Sequence, residues 1–238
     1  MNIKNYLKLE LLGWSKFEII GLLVVFNIIL INSLILHDSF IAILSACCGI
    51  LYTIIAGKGK ISCYFFGLIS TICYSYLSYE NGLYGNLLLN LGYYFPMQIL
   101  GIFVWKNNLK KSTNEIMKTN LKEKEFLKLL SITILVCFTT ILILYFINDS
   151  HPCIDSITTV FSILGMYLTI KRCIEQWIVW TIVNASATIV WINIALHGQG
   201  VYSTGLMWLV YLILGIYFYF KWNKELKSEN VGKSEKCY

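Results

Sequence analysis

Residues 176–196 read QWIVWTIVNASATIVWINIAL, an unbroken run of 21 residues without a single Asp, Glu, Lys, Arg or His. About 20 apolar residues in an α-helix span the hydrocarbon core of a bilayer, so this stretch predicts a transmembrane helix. The run is the seventh of eight apolar segments of similar length, which lie roughly at 17–36, 39–56, 61–79, 83–105, 129–147, 156–170, 176–196 and 200–220. The sequence therefore predicts an all-α polytopic membrane protein with eight transmembrane helices.

The positive charges lie on one side of these eight segments. All 19 Lys and Arg residues fall in the two termini and in the even-numbered connections. The ionisable residues of the odd-numbered connections are acidic groups and histidines, namely His37, Asp38, Glu80, Asp149, His151, Asp155 and His197. Cytoplasmic loops retain Lys and Arg. We therefore expect a multi-pass protein of the cell (inner) membrane with both termini in the cytoplasm.

The composition excludes several functional classes. The chain is 57% hydrophobic and 13% charged, whereas about a quarter of the residues of a soluble domain are charged. Its net charge of +6 is spread over short loops, which indicates membrane orientation and not a nucleic-acid surface. The sequence has no Cys or His cluster with metal spacing and no glycine-rich phosphate loop, so we expect neither a metal nor a cofactor. The lipid bilayer is the expected environment.

The sequence also contains a weak internal repeat. When the second to fourth segments are aligned on the sixth to eighth, Gly49 matches Gly165 and Thr53 matches Thr169. Because the fifth segment lies between the triplets, both cross the membrane in the same direction. The prediction is two parallel three-helix repeats joined by one helix, with an extra N-terminal helix. This is a known transporter plan, with the substrate near the midplane between the repeats; a chance match of apolar helices is the competing interpretation.

This plan divides the chain into six regions. They are an N-terminal tail with the extra helix (1–38), the first repeat (39–105), a cytoplasmic loop (106–128), the linker helix (129–154), the second repeat (155–222) and a cytoplasmic tail (223–238). We expect the lysine-rich loop to be a partly helical, solvated linker that touches anionic lipid heads. The region from Lys221 onward has no apolar period, so we expect it to be disordered.

One face of the seventh segment carries the strongest candidate for a binding site. Trp177, Trp180, Asn184, Thr188 and Trp191 are spaced 3, 4, 4 and 3 residues apart, which aligns them along a helix. An amide near the bilayer centre is costly unless it is paired. Asn184 would therefore hydrogen-bond either a neighbouring helix or a ligand, and the accompanying aromatic residues favour the ligand.

The fourth segment supplies a matching set of polar residues. Asn90, Tyr94 and Gln98 follow each other at a spacing of four, and we expect Pro96 to loosen the helix around them. Thr53 is a weaker candidate of the same kind, as are Tyr64, Tyr74, Thr169 and Tyr211.

The interior of these segments contains no ionisable residue. Proton relays and gating charges require such residues, so a proton-coupled pump is disfavoured. Tryptophan faces can hold a flat cationic ring, and amides and hydroxyls can hold the hydroxyl groups of a sugar. The pattern is thus typical of a site for a nucleoside-like vitamin precursor.

The motif Trp177-x-x-Trp180-x-x-x-Asn184 and the Tyr93-to-Trp105 run resemble the PnuC family of vitamin transporters, over roughly residues 39–222. The resemblance implies a three-plus-one-plus-three helix plan similar to SWEET sugar transporters. It implies that Trp177, Trp180, Asn184 and Gln98 line a pocket for nicotinamide riboside. Uptake would be facilitated diffusion, and a cytoplasmic riboside kinase would trap the substrate for NAD synthesis.

Three alternatives stay open at this point. The same fold carries thiamine or deoxynucleosides in other members of the family. A membrane receptor that binds an aromatic ligand without moving it would show the same residues. A membrane enzyme is disfavoured because no buried carboxylate, His or nucleophile pair is present in the sequence. The sequence leaves the oligomeric state open, a homo-oligomer included.

The one-sided cations generate a topological prediction. An impermeant thiol reagent applied to intact cells should label Cys153, which lies in an odd-numbered connection, and should not label Cys173 or Cys237. Mass spectrometry of the labelled protein measures the result. Labelling of Cys237 would reverse the assigned orientation.

Overall fold

A computed structural model describes residues 14–35, 39–80, 84–110, 113–146, 148, 152–196 and 202–234. Within these residues the chain forms eight helical runs. They are α1 (Lys16–Ile35), α2 (Phe40–Gly57), α3 (Cys63–Glu80), α4 (Tyr84–Leu88, Leu89–Tyr94 and Phe95–Lys106 in continuous succession), α5 (Glu123–Phe146), α6 (Pro152–Ile170), α7 (Gln176–Leu196) and α8 (Tyr202–Ser234).

The helices follow the predicted apolar segments closely. Helix α7 has the predicted bounds, and α1 to α4 deviate from theirs by one or two residues. Helix α5 begins earlier, at Glu123, because a charged helical turn precedes its apolar part. Helix α6 also begins earlier, at Pro152, whose fixed φ suits the first position of a helix. The prediction of an all-helical chain is confirmed.

Four helices are long and apolar enough to cross a membrane, by length and composition. They are Phe40–Gly57, Asn86–Lys106, Glu123–Phe146 and Pro152–Ile170. Two shorter apolar helices, Glu18–Ser33 and Gln176–Val190, accompany them within the described residues. These properties are those of a multi-pass membrane protein.

The chain divides into two compact units, Met1–Met117 and Lys118–Tyr238. In the first unit α2 packs against α1 and α3, and α3 packs against α4. In the second unit α6 packs against α5 and α7, and α7 packs against α8. The core of the second unit is apolar, with Phe161, Leu164, Leu168, Val179 and Val183 among its members.

In the first unit, residues 107–110 and 113–117 fold back onto the turn between α2 and α3. Ile116 is fully buried, and its N–H donates to the carbonyl of Gly59 at 2.9 Å. Lys60 is almost fully buried, donates to the carbonyl of Thr113 at 2.7 Å and lies 3.5 Å from a carboxylate oxygen of Glu115. The turn itself requires a positive φ at Gly59, which glycine adopts without strain.

In the second unit, residues 118–122 pack against the turn between α6 and α7. Thr119 exchanges backbone hydrogen bonds with this turn, donating to the carbonyl of Arg172 and accepting from the N–H of Ile174. The N–H of Leu121 donates to a carboxylate oxygen of Glu175 at 3.0 Å. Burial raises the pKa of the Glu175 carboxyl despite this hydrogen bond.

The linker, predicted to be partly helical, is helical from Glu123 onward. The described residues between α4 and α5 are non-helical. Several of their backbone N–H groups donate to the two helix turns or to carbonyls within the segment itself, and these contacts are not visible in the sequence pattern.

The prediction of a disordered tail is wrong as far as Ser234, because α8 continues without interruption to that residue, and residues 235–238 lie outside the described residues. Trp222 is fully buried, and the ammonium of Lys118 lies 5.0 Å from the centre of its ring. Lys118 also forms a salt bridge with Glu225, one helical turn after Trp222. These contacts hold the polar extension of α8 in a helical conformation, although its sequence has no apolar period.

Candidate functional site

Trp180 lies on the side of α7 that packs against α6. Its indole Nε1 donates to the hydroxyl of Thr169 at 3.1 Å. Its ring covers Gly165, and a Cβ added to that glycine would lie 2.9 Å from the ring carbon Cε2. The ring is only partly buried and borders the apolar core of the second unit. Trp180 is therefore held by α6 and keeps part of its surface accessible.

Trp177 lies on the side of α7 that packs against α8. Only 3% of this residue is exposed. Its ring centre lies 5.1 Å from that of Phe218 and 5.6 Å from that of Trp222. Its indole Nε1 is buried without a hydrogen-bond partner among the described residues. The structure thus separates the two tryptophans of the predicted stripe, since each packs against a different helix.

Asn184 and Thr188 lie on the same side of α7 as Trp177, and both are buried. Asn184 is 7% exposed, and its Nδ2 lies 3.9 Å from the position that a Cβ on Gly215 of α8 would take. The hydroxyl of Thr188 donates to the carbonyl of Asn184 at 2.6 Å, so Thr188 is satisfied within its own helix. The opposite side of α7 presents exposed apolar side chains, and Ile189 on this side is 69% exposed.

Helix α4 departs from regular α-helical geometry where Pro96 follows. Residues Leu89–Tyr94 form a π-helical turn, and the N–H of Phe95 bonds to the carbonyl of Asn90, five residues earlier. Proline has no N–H and its ring clashes with the preceding turn, which a wider turn relieves. The expectation that Pro96 loosens the helix is confirmed.

The π-turn changes the predicted stripe of α4. In the π-helical turn, the residue one turn after Asn90 is Phe95 and not Tyr94. The predicted row of Asn90, Tyr94 and Gln98 along one face of the helix is therefore interrupted. Asn90 is buried and donates to the carbonyl of Asn86 at 2.9 Å. Tyr94 is half-buried beside Tyr93, with their ring centres 5.7 Å apart. A constant spacing of four overlooked the residue that a π-turn adds.

Gln98 is the centre of a polar cluster in the first unit. Its Nε2 donates to the hydroxyl of Thr71 on α3 at 2.8 Å. Its Oε1 is buried and has no partner among the described residues. A Cβ added to Gly67 would lie 2.9 Å from this oxygen and 2.7 Å from the ring of Tyr52. The ring centre of Tyr64 lies 6.2 Å from that of Tyr52, so Tyr64 also borders the cluster.

Sequence reasoning missed two members of this cluster, Thr71 and Tyr52. The sequence does contain a signal for Thr71. It follows Gly67 by four residues, just as Thr169 follows Gly165 by four residues. Thr53 was selected instead of its neighbour Tyr52. The hydroxyl of Thr53 donates to the carbonyl of Gly49 at 3.1 Å, within its own helix. The side chain of Trp191 lies outside the described residues.

Together these observations define a multi-pass helical membrane protein whose candidate ligand-binding groups are neutral aromatic rings, amides and hydroxyls. Comparison with known proteins identifies the family. The sequence model described as "Nicotinamide mononucleotide transporter" matches residues 39–224. The chain belongs to this family of membrane transporters.

Individual relatives agree with this family. A protein of Neisseria mucosa named nicotinamide riboside transporter PnuC is 34% identical over 223 residues, which is 92% of this chain and 85% of that protein. A protein of Haemophilus influenzae with the same name is 31% identical and matches 97% of this chain and 100% of that protein. The crystal structure of the vitamin B3 transporter PnuC superposes with a TM-score of 0.80 at 32% identity, covering 96% of this chain and 99% of that one.

The packing of Trp177 generates a prediction about its role. Trp177→Ala would open a cavity between α7 and α8 and should lower the free energy of unfolding by about 3–5 kcal/mol. Thermal melting of the detergent-purified protein measures this loss. Phe220→Ala serves as the control, because that ring lies on α8 but is 65% exposed, and it should change stability little. If Trp177→Ala kept its melting temperature and lost only ligand affinity, the packing role would be refuted.

Proposed function

We propose that this chain carries nicotinamide riboside across the cell (inner) membrane by facilitated diffusion. The relatives named above support this substrate, since they are called nicotinamide riboside transporters and match nearly the whole chain. The observation that carries the proposal is the state of a buried amide. Oε1 of Gln98 is buried and has no hydrogen-bond partner among the described residues, and Asn184 places a second buried amide on α7.

The unpaired oxygen of Gln98 favours a ligand contact over a further helix–helix bond. A buried amide without a hydrogen bond costs free energy, so such groups are retained where a ligand pairs with them. The ribose hydroxyls and the carboxamide of nicotinamide riboside offer both donors and acceptors. The partly exposed face of Trp180 suits the cationic nicotinamide ring, because an indole face attracts cations. We propose Trp180, Asn184 and Gln98 as the principal ligand contacts.

The remaining predicted site residues take lesser roles in this proposal. Thr188 and Thr53 donate within their own helices, so neither offers a free hydroxyl donor, and Asn90 uses one of its two amide hydrogens in the same way. Tyr94 is half-buried and provides aromatic surface next to the π-turn. Trp177 acts through packing, by supporting α7 against α8.

The charge of the site favours the riboside over the mononucleotide that the family description mentions. A mononucleotide carries a phosphate, which proteins bind with Arg, Lys or the N-termini of helices. Gln98, Trp180 and Asn184, together with their described contacts Thr71 and Thr169, are all neutral. A phosphate at these groups would be desolvated without a compensating charge, which costs several kcal/mol.

The same absence of charge supports uncoupled transport. Among the described residues, the acidic and basic side chains of α1 to α7 lie within the first two turns or the last turn of these helices, and those of α8 lie after Phe220. A proton-driven mechanism needs a titratable relay within the membrane. Accumulation would then depend on a cytoplasmic kinase that phosphorylates the riboside and thereby removes it from the equilibrium.

For the architecture we propose eight transmembrane helices, with both termini cytoplasmic and with repeats formed by α2–α4 and α6–α8. Two matched features support the repeat. Thr53 and Thr169 each donate to the carbonyl of the glycine four residues earlier. Trp105 and Trp222 are each fully buried and make an edge contact with an aromatic ring of the middle helix, Tyr64 and Trp177 respectively.

Substrate recognition is tested by calorimetry on the purified protein. Nicotinamide riboside should bind more tightly than nicotinamide mononucleotide, thiamine or thymidine. Trp180→Ala should weaken binding of the riboside about five- to thirtyfold, because a ring contact contributes about 1–2 kcal/mol, and Trp180→Phe should retain part of the affinity. Asn184→Leu should lose comparable affinity and stay folded, whereas Ile189→Ala on the exposed side of α7 should bind normally.

Two results would contradict the proposed recognition. Unchanged riboside affinity in both Trp180→Ala and Asn184→Leu would show that the ligand does not contact these residues of α7. Tighter binding of thiamine or thymidine than of the riboside would assign the chain to another substrate. A loss of melting temperature in Asn184→Leu without a loss of affinity would mean that Asn184 joins helices.

The transport mechanism is tested in proteoliposomes that contain no kinase. Nicotinamide riboside should enter until the inner and outer concentrations are equal, and an imposed proton gradient should not change this end point. Radiolabelled uptake with and without the gradient measures it, and liposomes without protein provide the background. Accumulation above equilibrium under a proton gradient would contradict facilitated diffusion. Binding without any flux would instead indicate a receptor.

A further inference from the structure

Thr169 makes two hydrogen bonds that together fix the direction of the Trp180 side chain. Its hydroxyl donates to the carbonyl of Gly165 at 2.8 Å. The hydroxyl has only one hydrogen, so the oxygen is left as an acceptor, and the Nε1–H of Trp180 occupies it at 3.1 Å. Thr169 is 2% exposed, so water does not compete for this pair. The indole N–H is therefore used within the protein, and the ring face is what Trp180 can offer to a ligand.

Gly165 determines how closely the ring of Trp180 approaches α6. A Cβ on Gly165 would lie 2.9 Å from Cε2 and 3.2 Å from both Cδ2 and Cζ2 of Trp180. Three ring atoms at nearly equal distances mean that the indole lies flat over the glycine. An alanine at this position would push the ring away from α6, since side-chain carbons do not approach this closely.

The same pair of residue types, at the same spacing, surrounds Gln98 in the first unit. The Nε2 of Gln98 donates to the hydroxyl of Thr71 at 2.8 Å, as the Nε1 of Trp180 does to Thr169. The Oε1 of Gln98 lies over Gly67, where a Cβ would approach it to 2.9 Å. In both units a glycine leaves room for the functional side chain, and a threonine four residues later accepts its N–H.

We propose that Gly165 and Thr169 are positioning residues, which orient Trp180 for ligand binding, and that Gly67 and Thr71 orient Gln98 in the same way. The inference rests on the proposed function, because it assumes that Trp180 and Gln98 contact the ligand. It adds the reason why these side chains present one defined surface: a glycine–threonine pair on the neighbouring helix decides which atoms of each face the ligand and which are already bonded.

The first experiment tests the positioning without any ligand. In the detergent-solubilised protein labelled with ¹⁵N-tryptophan, the indole N–H signal of Trp180 is assigned by its loss in Trp180→Phe. Thr169→Val removes the acceptor at constant shape and should shift this signal and speed its exchange with solvent. Thr169→Ser keeps the acceptor and should restore the original shift. An unchanged Trp180 signal in Thr169→Val would overturn the proposal, whatever the substrate is.

The second experiment tests the consequence for binding by a double-mutant cycle. Thr169→Val should weaken nicotinamide riboside binding about three- to tenfold in the native background, which is the range for one lost hydrogen bond. The same substitution should have no effect in Trp180→Phe, because phenylalanine has no N–H to position. An equal loss in both backgrounds would show that Thr169 acts independently of Trp180 and would refute the positioning role.

The glycine is tested in parallel. Gly165→Ala should weaken riboside binding, whereas Gly21→Ala should leave it unchanged, because no atom lies within 4 Å of a Cβ at Gly21 in α1. Normal affinity in Gly165→Ala would exclude a role for the close approach. If Gly165→Ala does not fold, the threonine variants decide the proposal alone. Failure of the proposed function is distinguishable, since it would appear as normal affinity in Trp180→Ala together with a shifted Trp180 signal in Thr169→Val.

Discussion

The hydrocarbon core of a membrane offers no hydrogen-bond partner, so every polar side chain within it must be satisfied by the protein or bear the cost of being unpaired. Several hydroxyls of the described helices meet the requirement locally, by donating to a carbonyl four residues earlier in the same helix. The examples include Thr53, Thr133, Thr140, Thr181, Ser186 and Thr188. These residues are polar in sequence and have no free donor in the structure.

The amide of Gln98 is not satisfied in this way, and it marks the part of the candidate site in the first unit. A side-chain amide has two donor hydrogens and an acceptor oxygen, more than one carbonyl can pair. Gln98 donates to a hydroxyl on the neighbouring helix, and its buried Oε1 has no partner among the described residues. A membrane helix gains nothing from such a residue unless a further partner arrives. This requirement connects the packing of the helices to the proposed recognition of a polar ligand.

Close approach at glycine is the second feature that supports the site. Helices in membranes associate through small residues because lipid chains are as apolar as the side chains they would replace. At Gly101 and Gly165 the space is filled by an aromatic ring from the neighbouring helix, Tyr64 or Trp180. These glycines therefore leave room for the aromatic rings as well as allowing the helix backbones to pack closely. Substitution there would move an aromatic side chain before it separated two helices.

The sequence by itself determined the helical class, the bounds of most helices and the residue types of the site, because apolar length and one-sided charge act locally and are independent of the partner. It predicts Trp180, Asn184 and Gln98 as ligand contacts, which stays a prediction; in the structure Asn184 and Gln98 are buried and Trp180 is partly buried. Only the tertiary structure decided which helix each residue faces, since that depends on packing between distant segments. It showed Trp177 against α8, the widened turn before Pro96, and the helical extension of α8 that Lys118 stabilises from another part of the chain. These features follow from contacts between residues far apart in sequence, which no local pattern contains.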